Sequence, residues 1–167
     1  MDSSDVDYSL VPQDLIAELF PKNNEGKNES VMYIGKCAKF SRYGMKQDRT
    51  LIMSTEGVYL LTGRRVSARH VFSELHCIVK SLHSKEFVLC FVNSKDLRLY
   101  LEEREELLDI IKLRFANRAS EQDLKVYGVP VPQLKDYSST NPTFSAEPEE
   151  KYLLKDESVL SAASFAR

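Results

Sequence analysis

The sequence predicts a mainly β, α+β fold: a bent antiparallel sheet or barrel of about seven short strands, closed by a C-terminal helix and flanked by extended tails. Three observations carry that expectation. Between about residues 31 and 101, apolar side chains recur with period two and are interrupted by turn-forming clusters. The period then lengthens to about three and a half over Leu107, Ile110, Ile111, Arg114 and Phe115, one face of a helix. Beyond residue 118 prolines accumulate and the periodicity is lost. The division that follows is an acidic N-terminal arm with a short helix (1–27), a folded domain (28–118) and an extended Pro/Ser-containing C-terminal arm (119–167).

In the N-terminal arm, Leu15, Ile16, Leu19 and Phe20 share one face of a short helix with Pro12 near its first turn. That face is expected to pack on the domain's own sheet or in a partner's groove. Residues 31–34 and 50–53 favour extended backbone, and the segment between them reverses at Gly44, which can take the positive φ of a tight turn. A second reversal at Thr55-Glu56-Gly57 leads into Val58-Tyr59-Leu60-Leu61, and residues 64–71 read as a short edge strand. Residues 75–82 form a longer strand. Phe87, Leu89 and Phe91 alternate with Val88, Cys90 and Val92, apolar on both faces and therefore central. Leu97, Leu99 and Leu101 alternate with Arg98 and Tyr100 as a half-buried strand. In the helix that follows, Glu102, Glu103, Glu105 and Glu106 at the start and Lys112, Arg114 and Arg118 near the end complement the helix dipole.

Charge is segregated along the chain. Residues 35–70 carry a net +6, whereas residues 1–30 carry −5, residues 71–118 sum to zero and residues 119–167 carry −3. A single basic zone between acidic tails points to a localised anionic partner rather than to general polyanion binding. Lys39, Arg42, Lys46 and Arg49 load the first hairpin, and Arg64 and Arg65 follow one hairpin later. Their donors suit phosphate or carboxylate oxygens, which Arg can grip bidentately. Solvated charge, an anionic lipid and an acidic protein surface all fit this patch.

Catalytic and metal-ligating motifs are missing from the sequence. His70, His76 and His83 make no Cys-x-x-Cys or His-x-x-x-His spacing with Cys37, Cys77 and Cys90, and the six glycines form no phosphate-binding loop. The expectation is a non-enzymatic protein with no cofactor and no metal. Nucleic acid is excluded because the chain is acidic overall and lacks aromatic interleaving in its basic zone. An acidic start, no apolar run of about 18 residues and three cysteines without framework spacing predict a cytoplasmic protein with reduced thiols.

In the C-terminal arm, Tyr127-Gly128-Val129-Pro130-Val131-Pro132, Pro142 and Pro148 argue for extended backbone. Tyr137, Phe144, Tyr152, Leu153, Leu154 and Phe165 are too apolar for an inert linker and are expected to anchor a partner.

The order Lys39, Arg42, Lys46, Gln47, Arg49, Leu51 and Thr55, then Val58-Tyr59-Leu60, resembles the tail homology 1 domain of class I myosins, without a motor. The resemblance covers roughly residues 28–116. It implies a pleckstrin-homology-like fold and attachment at the membrane–cytoskeleton boundary, with phosphoinositide headgroups held by basic residues of the first two strands. By position, Lys39 and Arg49 are the implied headgroup contacts, supported by Arg42 and Lys46. The chain departs from the family pattern at Gln47-Asp48-Arg49, where a basic-x-Arg triplet is expected. The corresponding function is a non-enzymatic binding and scaffold module. The alternative is a structural subunit of a cytoskeletal or ciliary assembly, part of a larger assembly and held by its tails without lipid.

Overall fold

The computed structural model describes residues 6–22, 29–116 and 124–138, with the side chains of residues 115 and 116 outside that description. Among the described residues there are eight strands: β1 (Val31–Phe40), β2 (Lys46–Ser54), β3 (Gly57–Thr62), β4 (Arg65–Val71), β5 (Leu75–Ser81), β6 (Glu86–Phe91), β7 (Leu97–Tyr100) and β8 (Lys125–Val129). Two α-helices accompany them, α1 (Gln13–Leu19) and α2 (Arg104–Ala116). The hydrogen-bonded order is β4-β3-β2-β1-β7-β6-β5-β8. Of the expected bent sheet or barrel, the structure takes the sheet. Closure would require β4 to pair with β8, and these two strands instead end the order, so the sheet is open. It is also mixed, because β8 joins β5 in parallel.

The described residues pack as two compact units, one within Met1–Cys37 and Asp48–Ser73 and the other within Ala38–Gln47 and Glu74–Arg167. In the first, α1 buries Leu15 together with Val11 and Phe20 against Val31, Ile34, Ile52, Tyr59 and Leu61 of the strands. Of the two expected places for the arm's apolar face, the structure takes the domain's own strands. Phe20 meets Tyr59 edge-on, ring centroids 5.2 Å apart, a preferred aromatic geometry. Pro12 precedes the first helical turn, and Asp14 in that turn receives Arg64 Nη2 at 2.6 Å. The hydrogen bond from Arg64 holds the Asp14 carboxyl below its ordinary range.

Side-chain caps organise the turn between β2 and β3. Ser54 Oγ accepts from the backbone N–H groups of Glu56 and Gly57, both at 3.1 Å, and donates to Glu29. Glu29 Oε2 also accepts from the Tyr59 hydroxyl at 2.6 Å, and Arg69 Nε donates to the same hydroxyl at 3.0 Å. Gly57 opposes Val71 across β3 and β4, and a Cβ there would stand 2.2 Å from the carbonyl oxygen of His70. Only glycine lets the two backbones approach so closely.

In the second unit β6 is buried along its whole length between β5 and β7, as its two-faced apolar run requires. Cys77, Val79, Val88 and Cys90 of β5 and β6 form a core with Tyr127, Val129, Leu134 and Tyr137. Leu124 to Ser138 therefore belongs to the fold, although the sequence had assigned it to an extended arm. The register runs from Cys77 opposite Lys125 to Ser81 opposite Val129. Parallel strands need a crossover connection, here the chain through α2, whose Leu107, Leu108, Ile110 and Ile111 are buried.

The segment after β8 is fastened by polar groups. Glu86 Oε1 receives Arg98 Nε and Nη2, each at 2.8 Å, and the Leu134 N–H at 3.0 Å. Ser81 Oγ donates to the Val131 carbonyl and Ser84 Oγ to the Pro132 carbonyl. Arg104 Nη1 gathers the carbonyls of Ser81, Ser84 and Glu86 at 2.8 to 2.9 Å, fixing the β5–β6 turn from the start of α2.

Gly57→Ala is expected to lose roughly 1–3 kcal/mol through the forced separation of β3 and β4, read as a lower midpoint in thermal unfolding followed by circular dichroism. Glu86→Ala leaves the buried Arg98 guanidinium and the Leu134 N–H unpaired and should cost about 3–5 kcal/mol. Adding Arg98→Met should recover part of that loss in denaturant titrations. A double variant no more stable than the single one would contradict this account.

Burial pushes the Cys37 thiol from its ordinary 9.0 up to about 12, against the pull of the Arg49 cation and with a smaller push from Asp48. Iodoacetamide should therefore spare Cys37 in the native protein and modify it once guanidinium chloride unfolds the chain. The raised folded value also fixes a sign. The contribution of this thiol to stability is complete below the unfolded value near 9.0 and falls away as the pH rises toward about 12.

Candidate functional site

The turn between β1 and β2 is built by its own side chains. Ser41 N–H donates to the Met45 carbonyl and Gly44 N–H to the Ser41 carbonyl, both at 2.9 Å. Ser41 Oγ accepts from the backbone N–H of Tyr43 at 3.3 Å and of Met45 at 3.1 Å. Gly44 closes the turn with φ +82°, a conformation costly for any residue with a Cβ. The result is a short, internally bonded loop that projects Arg42, Tyr43 and Met45 outward. Tyr43 is 78% and Met45 67% exposed, among the largest exposed apolar surfaces of the described residues.

Beside this turn the second unit has a groove of about 560 Å³. Phe40 and Arg98 contribute its buried part, and the Arg98 guanidinium stacks 3.9 Å from the Phe40 ring centroid. Arg42, Tyr43 and Lys46 line it from the hairpin. Gln133, Lys135 and Ser138 line it from the segment after β8. The Arg42 guanidinium lies 5.4 Å from the Tyr43 ring centroid, and Lys46 Nζ lies 4.5 Å from that of Tyr100. Both cationic groups thereby lie within cation–π distance of an aromatic ring while both residues remain exposed. Arg98 pairs with Glu86, and Arg42, Lys46 and Lys135 are exposed residues of the groove lining.

Of the six cations singled out in the sequence, the groove takes Arg42 and Lys46. Lys39 alternates with Phe40 along β1, is half-buried and pairs opposite Leu99, outside the groove lining. Arg49, Arg64 and Arg65 belong to the other unit. Arg49 Nη1 donates to the Asp48 carbonyl at 2.7 Å, Arg64 bonds Asp14, and Arg65 is exposed at the start of β4. Tyr137, expected to anchor a partner, is instead buried in this chain's own core, because the 3-10 turn Lys135–Tyr137 folds it back onto β5, β6 and β8. Phe144, Tyr152, Leu153, Leu154 and Phe165 lie outside the described residues.

Sequence reasoning missed two contributors, Arg98 and Lys135. Arg98 sits in a strand whose alternation reads as polar-outward, and only its buried carboxylate partner at Glu86 reverses that meaning. Lys135 stands in an acidic stretch and reaches the groove through the pairing of β8 with β5. No local signal marks it.

Among the described residues no group of His, Cys, Asp or Glu is placed to hold a metal ion, and no helix is long and apolar enough to cross a membrane. No family model and no curated protein matches the chain. Among solved structures it is similar to the hSac2 domain from human phosphoinositide phosphatase Sac2, at 12% identity and a TM-score of 0.49, over 72% of this chain and 86% of that one. It is also similar to a structure of the Vav1 exchange factor with PH and C1 domains, at 11% identity and 0.46, over 65% and 34% of the two chains. A third is the linker-DH/PH region of p115-RhoGEF, at 13% identity and 0.47, over 69% and 38%. The chain thus spans little more than a third of the Vav1 and p115-RhoGEF chains. Two of these three structures contain PH domains.

Proposed function

We propose that this chain is a non-enzymatic, pleckstrin-homology-like binding module that attaches to anionic membrane through the β1–β2 turn and the adjoining groove. The observation that carries this reading is the composition of the turn: exposed Tyr43 and Met45 stand among the cations Arg42 and Lys46 on a loop fixed by its own hydrogen bonds. Apolar and aromatic side chains at a rigid tip can enter the headgroup boundary, while cations beside them meet lipid phosphates. Each cation near an anionic surface contributes about 1 kcal/mol. A groove bordered by Arg42, Lys46 and Lys135 has room and charge for a phosphorylated headgroup such as that of a phosphoinositide. The resemblance of the basic hairpin to the myosin tail homology region fits this reading, with membrane–cytoskeleton attachment as the cellular role. Phe144, Tyr152, Leu153, Leu154 and Phe165 would serve any cytoskeletal scaffold partner.

Co-sedimentation with phosphatidylserine and phosphoinositide vesicles tests the reading. Arg42→Gln with Lys46→Gln should weaken binding roughly 30-fold, about 1 kcal/mol for each charge removed. Tyr43→Ser with Met45→Ser should weaken it on charged vesicles while leaving soluble inositol phosphate binding intact. Vesicle binding untouched by both pairs would sink the proposal.

A further inference from the structure

The pairing of β5 with β6 brings two thiols together. Cys77 stands directly opposite Cys90, beside the register shift between Leu75 and Cys77. Directly opposite residues of an antiparallel pair have Cα atoms about 4.5–5.5 Å apart, within the roughly 4.4–6.8 Å that a disulfide spans. Such residues share a face of the sheet, and both thiols pack in one core with Tyr127, Val129, Leu134 and Tyr137. Neither is in a disulfide, and they are 0% and 2% exposed. The third cysteine, Cys37, belongs to the other unit. A thiol sealed in apolar packing is inert, so the chemistry of this pair depends on its cover. That cover is β8 and the segment to Tyr137, fastened where Glu86 Oε1 accepts the Leu134 N–H and where the Ser81 and Ser84 hydroxyls donate to the carbonyls of Val131 and Pro132. An edge segment held by a few such bonds opens at lower cost than the central strands beneath it.

We propose that Cys77 and Cys90 are an oxidation site, forming a cross-strand disulfide with hydrogen peroxide when the segment from β8 to Tyr137 lifts off β5 and β6. The thiolate of one cysteine attacks peroxide, its S–O bond forming as the O–O bond breaks, and leaves a sulfenic acid and hydroxide. The second thiolate attacks that sulfur, the S–S bond forming as the S–O bond breaks and a second hydroxide leaves. The two thiol protons turn both hydroxides into water, so the sulfurs together lose two electrons and the peroxide gains them. Because the strand pairing already holds the second sulfur beside the first, linkage outruns further oxidation to sulfinic acid. An external thiol reverses the bond by exchange. The linked sulfurs stand only about 2.05 Å apart, which removes volume beneath Tyr127 and Tyr137 that a close-packed core must refill by repacking its cover.

The test treats the reduced full chain with hydrogen peroxide, blocks remaining thiols with iodoacetamide in guanidinium chloride, and maps tryptic peptides by mass spectrometry. The peptides 70–80 and 86–95, which hold Cys77 and Cys90, should appear joined, while Cys37 in the peptide 37–39 carries the iodoacetamide label. Dithiothreitol should separate the joined pair. Leu134→Ala cuts a buried side chain out of the cover and should speed linkage at least about tenfold. Leu15→Ala makes a cavity of the same kind in the first unit and should leave the rate within about twofold. No linkage, linkage through Cys37, or sulfinic acids at Cys77 and Cys90 without linkage overturns the proposal. Equal acceleration by Leu134→Ala and Leu15→Ala also overturns it, because the thiols would then be reached by unfolding at large and not by lifting of their cover.

Discussion

The second unit depends on one buried ion pair. Glu86 opens β6 and Arg98 lies on β7, both are buried, and leaving either charge unpaired there would cost about 3–5 kcal/mol. Together they satisfy each other twice, and the carboxylate still accepts the Leu134 N–H, which brings the segment after β8 onto the same point. Arg98 simultaneously supports Phe40 at the end of β1. One pair thus fixes both walls of the groove, the hairpin side through Phe40 and the C-terminal side through Leu134. The groove is a by-product of how the unit satisfies a buried charge.

Much of the fold is legible because local rules apply to it. Gly44 and the Thr55-Glu56-Gly57 reversal announce their turns, the two-faced apolar run of β6 announces a central strand, and the change of period near Leu107 announces α2. The run 31–34 is the part of the first strand that favours extended backbone by composition, yet β1 continues to Phe40. Gly35 and Lys39 do not end it because strand pairing, which the sequence does not display, holds the backbone there. β8 was missed for a related reason. Its partner β5 lies nearly fifty residues earlier, Cys77 opposite Lys125, and a parallel pairing over that distance leaves no hairpin signature. Prolines at 130 and 132 then drew the reading toward an extended arm, whereas they mark the end of an edge strand.

The candidate site was less legible than the fold. Charge counting marks a basic zone but does not say which of its cations share a surface, because alternation along a strand sends Lys39 and Phe40 to opposite faces. Of the groove's exposed cations the charge pattern points to Arg42 and Lys46 and not to Lys135, and Tyr137, which the composition assigns outward, completes the core. A buried aromatic and a partner-seeking one have the same composition and the same polar neighbours. What separates them is whether a nearby strand edge is vacant, and that is a property of the sheet.

The parallel seam between β5 and β8 also bears on how the chain comes to be folded. During synthesis β5, β6 and β7 are available long before Lys125 leaves the ribosome, so the outer edge of β5, with Cys77 and Val79 behind it, waits unpaired while the whole crossover is made. Contacts of such high sequence separation form slowly, and an uncovered apolar edge is a template for other chains. The nascent protein is therefore most exposed to misassociation in the interval before β8 docks, and a fragment ending near residue 118 would remain in that interval permanently.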